Sequence, residues 1–354
     1  MKPDASPEHP ASRRTRWHAV RVPEPATDLE IARDAELLPI EEVAAAAGIG
    51  VEFVEPYGRH IAKVSHGATA ALADRPSAKY VLITAVTPTP LGEGKTTTAI
   101  GLAQGLASLG HRSMLALRQP SLGHTFGIKG GAAGAGYSQV VPMEALNLHL
   151  TGDFHAVTAA RNLLAAMVDN HLHQGNELGL DPRAVAWRRV LDVNDRVLRN
   201  LVVGLGARID GLPRQSGFDI TAASEVMVTL ALSTSLHDLR ARLGRIVVGF
   251  TYGGDPVTAE DLKAAGAMTV LLRDAVKPNL LQTLENTPAL VHAGPFGTAQ
   301  VRAAGVRRVP RGHREDPPVL VVGPDAARRP DRMAHAGARG ASGRGRRVRL
   351  RDQR

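Results

Sequence analysis

Cysteine is absent from the 354 residues, which excludes disulfides, thiolate zinc sites, iron–sulfur clusters and a cysteine nucleophile. Aromatic side chains make up only 3% of the chain, so any sizeable core must be aliphatic and poor in rings. No apolar run approaches the ~18–20 residues that cross a bilayer. Where a secretory signal would have its apolar stretch, Ser12-Arg13-Arg14-Thr15-Arg16 leads into mixed polar sequence. These absences predict a cytoplasmic protein with no membrane partner, long enough for about two domains.

Charge of one sign is confined to one end. The net charge is +9, yet Gly297 to Arg354 alone holds 15 arginines, no lysine and five acidic residues. The preceding chain is therefore close to neutral, and a nucleic-acid or polyanion partner could rest only on that tail.

What is present has the grammar of an α/β protein. Residues 1–26, rich in Pro, Arg, Ser and Ala without periodicity, read as a disordered leader. Order begins at Thr27-Asp28, a helix-start signal, and a second start at Pro39-Ile40-Glu41-Glu42 opens an Ala-rich helix ending near Gly48 and Gly50. Val54-Glu55-Pro56-Tyr57-Gly58 makes a turn. Lys79 to Val86 is a β-branched run suited to a buried parallel strand. A glycine loop, a helix from Thr97 to Leu109 stopped by Gly110, and a strand at Ser113–Leu117 follow. Strand, loop, helix, strand is the unit of a parallel sheet. Further strands are expected at Leu201–Leu205, Arg245–Thr251 and Thr269–Leu272, with helices at Ala156–Asn170, Glu225–Leu232 and Thr258–Ala265.

Gly92-Glu93-Gly94-Lys95-Thr96 carries the clearest chemistry. Glycines allow backbone N–H groups to turn toward phosphate oxygens, aided by the positive end of the following helix. Lys95 would reach the outer phosphates and the Thr96 hydroxyl would sit on Mg2+. The full phosphate-loop pattern has glycine where this chain has Thr89, so the loop is a variant. The plain alternative is a glycine turn feeding a helix with an exposed lysine.

A second glycine-rich stretch, Gly127 to Tyr137, contains Lys129 and is too rich in small residues for helix or strand. It fits a loop approaching a ligand and equally a close-packed crossing or linker. Arg118-Gln119-Pro120-Ser121 follows a strand at the edge where open parallel sheets bind ligands, although a surface arginine reads the same way. Asp153, after Thr151-Gly152, is either a ligand-orienting carboxylate flanked by His149 and His155 or a helix cap. His171-Leu172-His173 has no carboxylate at helical spacing and reads as a helix end.

From about Thr27 to Phe296 these segments resemble the formate–tetrahydrofolate ligase (10-formyltetrahydrofolate synthetase) family. The resemblance covers Glu55–Gly58, Thr87–Thr98, Arg118–Asp153, Asp192-Val193-Asn194-Asp195-Arg196 and Gly217-Phe218-Asp219-Ile220-Thr221. It continues through Gly244–Gly249, Lys277-Pro278-Asn279-Leu280 and His292–Phe296. It implies a P-loop NTPase-like parallel sheet flanked by helices and followed by a second, truncated α/β portion. It also implies use of ATP, Mg2+, formate and tetrahydrofolate to make 10-formyltetrahydrofolate, ADP and phosphate through formyl phosphate. The family also brings a monovalent cation and a homotetramer. Carried over, Lys95 and Arg118 would act on the transferring phosphate as catalytic residues. Thr89, Pro90, Leu91, Gly92, Glu93, Gly94, Lys95 and Thr96 would bind ATP, with Thr96 on the metal; Lys129, Tyr137 and Asp153 would complete the site.

The departures are specific. Gln119 stands where the family has Glu, His124 where Pro is usual, and Ala135 replaces a signature glycine. After Phe296 the family sequence Ala-Asn-Ile-Ala-His-Gly is missing, and with it the second signature, the folate-stacking aromatics and the monovalent-cation site. Residues 297–354 hold no Lys, Phe, Trp or Tyr and break off inside a motif. This points to an out-of-frame, disordered tail on a chain whose turnover is impaired, with apolar surface around Leu280–Leu284 and Ala289–Val291 left uncovered. A P-loop ATPase or switch of the iron-protein type, and a polyanion-binding arm, are the alternatives.

Overall fold

The structure, a computed structural model, describes residues 25–75, 78–84, 94–127, 133–293 and 319–322. In chain order it opens with helices α1 (Asp28–Arg33) and α2 (Ile40–Ala47), strands β1 (Val54–Pro56) and β2 (Ala62–Val64), helix α3 (Gly67–Ala71) and strand β3 (Lys79–Leu82). Thr27 starts α1 with a full capping box, exchanging bonds with Glu30. Gly48 ends α2 in the left-handed conformation.

Next come α4 (Lys95–Ser108), β4 (Ser113–Arg118), α5 (Leu122–Thr125), β5 (Gly134–Ala135), β6 (Ser138–Val141), α6 (Met143–Asn147) and α7 (Asp153–His173). After them lie β7 (Arg189–Leu191), β8 (Leu201–Val203), β9 (Arg214–Ser216), β10 (Phe218–Ile220), α8 (Glu225–Leu232), α9 (Leu236–Gly244), β11 (Val247–Phe250), β12 (Pro256–Thr258) and α10 (Ala265–Leu271). The described chain ends with β13 (Asn279–Thr283), β14 (Pro288–His292) and β15 (Val319–Val322).

The main sheet runs β1-β2-β13-β14-β4-β15-β3, with β6 and β5 continuing from β13. The α/β class holds, but the all-parallel expectation does not. Only β14–β4, β4–β15 and β15–β3 pair in parallel. The other pairings, β1–β2, β2–β13, β13–β14, β13–β6 and β5–β6, are antiparallel. Short connections explain this: β13 and β14 are joined by four residues, a length that closes hairpins and cannot make a parallel crossover.

Side-chain alternation distributes the sheet between two aliphatic layers. Leu281, Ala289, Val291, Leu115 and Leu117 pack with Ala99, Ile100 and Ala103 of α4. Leu280, with Leu290 and Met114 beside it, faces Ile40, Val43 and Ala44 of α2 on the other side. All five residues of β13 are buried, so the apolar stretches expected to be uncovered at Leu280–Leu284 and Ala289–Val291 are central strands under helices.

A third, larger core gathers α7–α10 around Trp187, Leu180, Val248 and Val257. Two expectations fail here. Thr269–Leu272 is helical and not a strand: Ala265, Met268 and Leu272 are buried at helical spacing, a period that outweighs the β-branched look of Thr269-Val270. The helix expected over Thr258–Ala265 is instead the end of β12, a run of turns and the start of α10. Residues 201–203 and 247–250 form strands, but in separate two-stranded hairpins outside the main sheet.

The 297–354 tail was expected to be without order, yet its residues 319–322 form β15, inserted between β3 and β4. Among the described residues, β3 has no other strand partner. Removing residues 297–354 should therefore strip exchange protection from the amides of residues 79–82 and lower the urea midpoint. Leu320→Pro, which takes one N–H out of the ladder, should act in the same direction. A deletion variant with an unchanged midpoint and protected β3 amides would show that β15 carries no weight.

Candidate functional site

Parallel pairing brings the carboxyl ends of β3, β4 and β14 to one edge, with His292 level with Arg118 and Leu82 level with Val322 and, across it, Ala116. Ligands bind at such edges in open α/β sheets. Three glycine- or arginine-bearing segments from the sequence meet this edge or flank it.

The first is the start of α4. Gly94 has φ 69° and an added Cβ would meet nothing within 4 Å, so glycine is required for its backbone conformation and not for space. No acidic side chain lies in the first turn of α4, so the helix residues themselves place no negative charge at its positive end. Lys95 and Thr96 occupy that turn, half-buried. Thr89, Pro90, Leu91, Gly92 and Glu93 lie outside the described residues.

The second is Arg118, half-buried at the end of β4. Gln119 follows it, donates its backbone N–H to His292 O at 2.8 Å and is fully buried. Neither atom of its carboxamide has a hydrogen-bond partner. An unsatisfied buried polar group costs about 1–3 kcal/mol, and a bonding group brought to this edge would relieve that cost.

The third is the small-residue stretch. Lys129 lies outside the described residues. At Gly134 (φ 101°) a Cβ would come within 1.9 Å of Ser138 O and 2.8 Å of Ile100 Cδ1, so this part of the stretch is a close crossing of backbones. Ala135 is exposed in β5 and is not among the residues with positive φ, which explains why a methyl is accepted there. Tyr137 turns outward, 76% exposed, while its carbonyl accepts from Gln104 Nε2 of α4 at 3.2 Å.

Sequence reasoning missed the residues that pin this stretch. Asn147 holds both of its described flanks: its carbonyl accepts from Thr125 Oγ1 at 2.9 Å, and its Oδ1 accepts from Ala133 N at 3.2 Å. Asp28 accepts from Gly136 N at 2.7 Å. Nothing in local sequence marks a contact between residues 108 positions apart.

Asp153 is the first residue of α7 and is buried, paired with Lys63 Nζ at 2.7 Å and accepting from Asn279 Nδ2 at 2.8 Å. Thr151 Oγ1 bonds Asn279 Oδ1 at 2.6 Å. The carboxylate is thus committed inward to β2 and β13. His292 lies near this pair, and burial holds its imidazole below the ordinary value despite the attraction of Asp153. His155 Nε2 and His149 Nδ1 are 2.8 Å apart on the surface. Among the described residues no three His, Asp or Glu side chains cluster as a metal cage. His171 Nε2 accepts from Leu178 N at 3.2 Å, closing the end of α7.

An open cavity of about 450 Å³ lies nearby, lined by Arg188, Asn194, Arg199, Phe218, Asp219 and Ile220 among others. Next to it, Asp192 Oδ2 accepts from Leu122 N at 2.8 Å while Oδ1 is buried without a partner. Burial raises the Asp192 carboxyl to about 6.

The profile of the formate–tetrahydrofolate ligase family matches residues 26–306. The chain belongs to this family. The match reaches past Phe296, where the sequence resemblance was placed to end. Formate–tetrahydrofolate ligase of Saccharopolyspora erythraea is 69% identical over 271 residues, 77% of this chain and 48% of that protein. The Cutibacterium acnes enzyme is likewise 69% identical with the same coverage. That of Roseiflexus castenholzii is 64% identical over 280 residues, 79% of this chain and 50% of the relative. The chain spans about half the length of the curated relatives it matches. No helix among the described residues is long and apolar enough to cross a membrane.

Two outcomes are expected for this ligase-family site. Lys63→Met leaves Asp153 buried and without its cation, and should cost about 3–5 kcal/mol in urea unfolding; a loss under 1 kcal/mol would mean the pair is solvated. Folding raises the Asp192 carboxyl from 3.8 to about 6, so its ionised form destabilises the fold above about pH 6, and that cost fades as pH falls toward 3.8. Asp192→Asn should therefore be more stable than the parent at pH 7.5, with the gap narrowing by pH 5 in paired urea titrations.

Proposed function

We propose that this chain is the nucleotide- and formyl-phosphate-handling portion of a formate–tetrahydrofolate ligase. The observation that carries the reading is a left-handed Gly94 opening α4 with Lys95 and Thr96 in its first turn, beside a sheet whose adjacent strands end in Arg118 and His292. Family membership supplies the substrates. The residues fit ATP: the N-terminal end of α4 is suited to phosphate through its backbone N–H groups, and Lys95 adds a cation. They fit Mg2+ held by the Thr96 hydroxyl together with nucleotide oxygens, the way this ion is held when no protein cage exists.

A formate oxygen attacks the γ-phosphorus of ATP, the bond to the bridging oxygen breaks, and ADP leaves with formyl phosphate formed. N10 of tetrahydrofolate then attacks the formyl carbon, phosphate departs, and N10 loses its proton. Lys95 and Arg118 neutralise charge on the moving phosphoryl group, since positioning and charge account for most of phosphoryl-transfer catalysis. Arg118 is suited to hold the mixed anhydride because its planar fork matches oxyanion pairs. Gln119 supplies a carboxamide with both atoms unbonded next to that arginine. Gly92, Glu93 and the preceding Thr89-Pro90-Leu91, with Lys129, belong to this phosphate region by their position in sequence. Tyr137 and Asp153 support it from outside: the first through its backbone, the second through the Lys63 pair.

Residues 297–354 carry none of the motifs that the family resemblance ties to folate or a monovalent cation, so what we assign to residues 27–296 is the handling of nucleotide and formyl phosphate. A cytoplasmic location and assembly of copies belong to the same reading.

Removing one charge-assisted contact costs about 1.5–3 kcal/mol. Lys95→Ala and Arg118→Ala should each weaken MgATP binding by roughly ten- to a hundredfold in calorimetry, with unfolding midpoints near the parent's. Equal affinity in all three proteins would remove this function. Formate-dependent transfer to tetrahydrofolate by the 354-residue chain at the rate of its longer relatives would contradict the assignment of a partial activity.

A further inference from the structure

Two motifs of the family resemblance, Asp192–Arg196 and Gly217–Thr221, have no part in the phosphate chemistry. In the fold they converge on one short stretch of backbone. Asp192 Oδ2 accepts from Leu122 N at 2.8 Å. Asn194 Nδ2 donates to Gly123 O at 3.0 Å. Ile220 presses on the same residue: a Cβ added to Gly123 would lie 2.7 Å from Ile220 Cδ1 and 3.1 Å from Asn194 Nδ2. That stretch starts four residues after Arg118 and ends where the small-residue loop begins.

The anchoring is directional. Leu122 N is the first amide of α5, a four-residue helix too short to hold itself by its own hydrogen bonds. Thr125 at its other end is tied to Asn147. Just past the second tie Phe126 is 76% exposed, so little apolar burial fixes that end of the segment. On the far side Asn194 and Ile220 line the open cavity, and packing from behind is correspondingly thin. Leu122 and Gly123 are thus held by two polar bonds and one tight contact from residues 192–220, and Thr125 by Asn147.

We infer that Asp192 and Asn194 are positioning residues for the Arg118 segment, clamping Leu122–Gly123 so that Arg118 and the small-residue loop keep a fixed spacing at the sheet edge. The effect on nucleotide rests on the function proposed above; the clamp on Leu122–Gly123 does not. A Cβ at position 123 would displace Ile220 Cδ1 and crowd Asn194 Nδ2, so glycine there lets both clamp side chains keep these positions. A second strand pair, β7–β10, is required to hold the clamp. It pairs Leu191 with Ile220 in register, so the residues flanking Asp192 and the contact from Ile220 arrive together. The raised Asp192 carboxyl is consistent with this placement, since a buried carboxylate with one free oxygen is retained at a cost to stability.

The test uses the full 354-residue chain and its Asp192→Ala, Asp192→Asn and Asn194→Ala variants. Hydrogen exchange followed by mass spectrometry reads residues 119–126, and calorimetry reads MgATP affinity. Asp192→Ala and Asn194→Ala should speed exchange in residues 119–126 at least tenfold, leave α8 and α9 protected, and weaken MgATP threefold or more. Asp192→Asn keeps an oxygen that accepts from Leu122 N, so both readings should return to within twofold of the parent. A general structural role would not give that recovery together with local loosening. Unchanged exchange in both alanine variants would overturn the clamp, as would an Asp192→Asn variant as loose as Asp192→Ala, or loosening spread evenly over α8 and α9. If Asp192→Ala does not fold, Asn194→Ala and Asp192→Asn decide the matter between them. Arg118→Ala separates the two readings: if it leaves MgATP affinity unchanged the functional assignment fails, while the exchange data still judge the clamp.

Discussion

The buried pair between Lys63 and Asp153 is the contact on which the remaining architecture depends. Lys63 lies in β2, Asn279 in β13, and Asp153 opens α7, so the 2.7 Å ion pair and the 2.8 Å bond from Asn279 join the sheet to the helical core built on α7–α10. Both charged side chains are almost wholly buried. Such a pair adds little net stability compared with an apolar packing of the same shape, yet it tolerates only one arrangement, because displacement would leave a charge in a low-dielectric interior. The helical core is thereby held in one orientation against the sheet edge that carries Arg118.

The neighbouring site follows from that orientation through backbone geometry more than through side chains. Gly94 must adopt a left-handed conformation, Gly134 must admit Ser138 O, and Gly123 must admit Ile220 and Asn194. Each glycine brings one backbone segment close to the next, and the segments so gathered bear Lys95, Arg118 and the small-residue loop. Asn147, 14 residues beyond Ala133, and Asp28, 108 residues before Gly136, then fasten that loop from two helices. A ligase-family site of this kind needs a fixed outline, because charge is stabilised in phosphoryl transfer by groups already in place.

Much of this could be read from residues alone. The β3–loop–α4–β4 run was legible because an apolar run, glycines and a helix follow one another within 40 residues, although β3 is exposed at Lys79 and Tyr80 and half-buried at Val81 and Leu82, not the buried strand expected there. The start of α1 was legible from Thr27-Asp28, to which the structure adds the bonds exchanged between Thr27 and Glu30. Long-range placement was not. Asp153 reads locally as a cap or a ligand-facing acid, and only the fold brings Lys63, 90 positions away. The strand direction of the sheet was missed because hairpin closure between β13 and β14 depends on a short connection, whereas the repeated strand–helix grammar favours a parallel sheet. At 269–272 the β-branched composition pointed to a strand, while burial of Ala265, Met268 and Leu272 at helical spacing made a helix.

The strand drawn from the arginine-rich tail has a wider implication. β15 is gripped on both sides through main-chain groups, and a slot of that kind recognises an extended backbone and asks little of sequence. It can therefore be filled by a segment unrelated to the remainder of the fold, provided the tether is long enough to reach. Whatever chain follows His292, the slot admits one occupant at a time, and β3 inherits the persistence of that occupant.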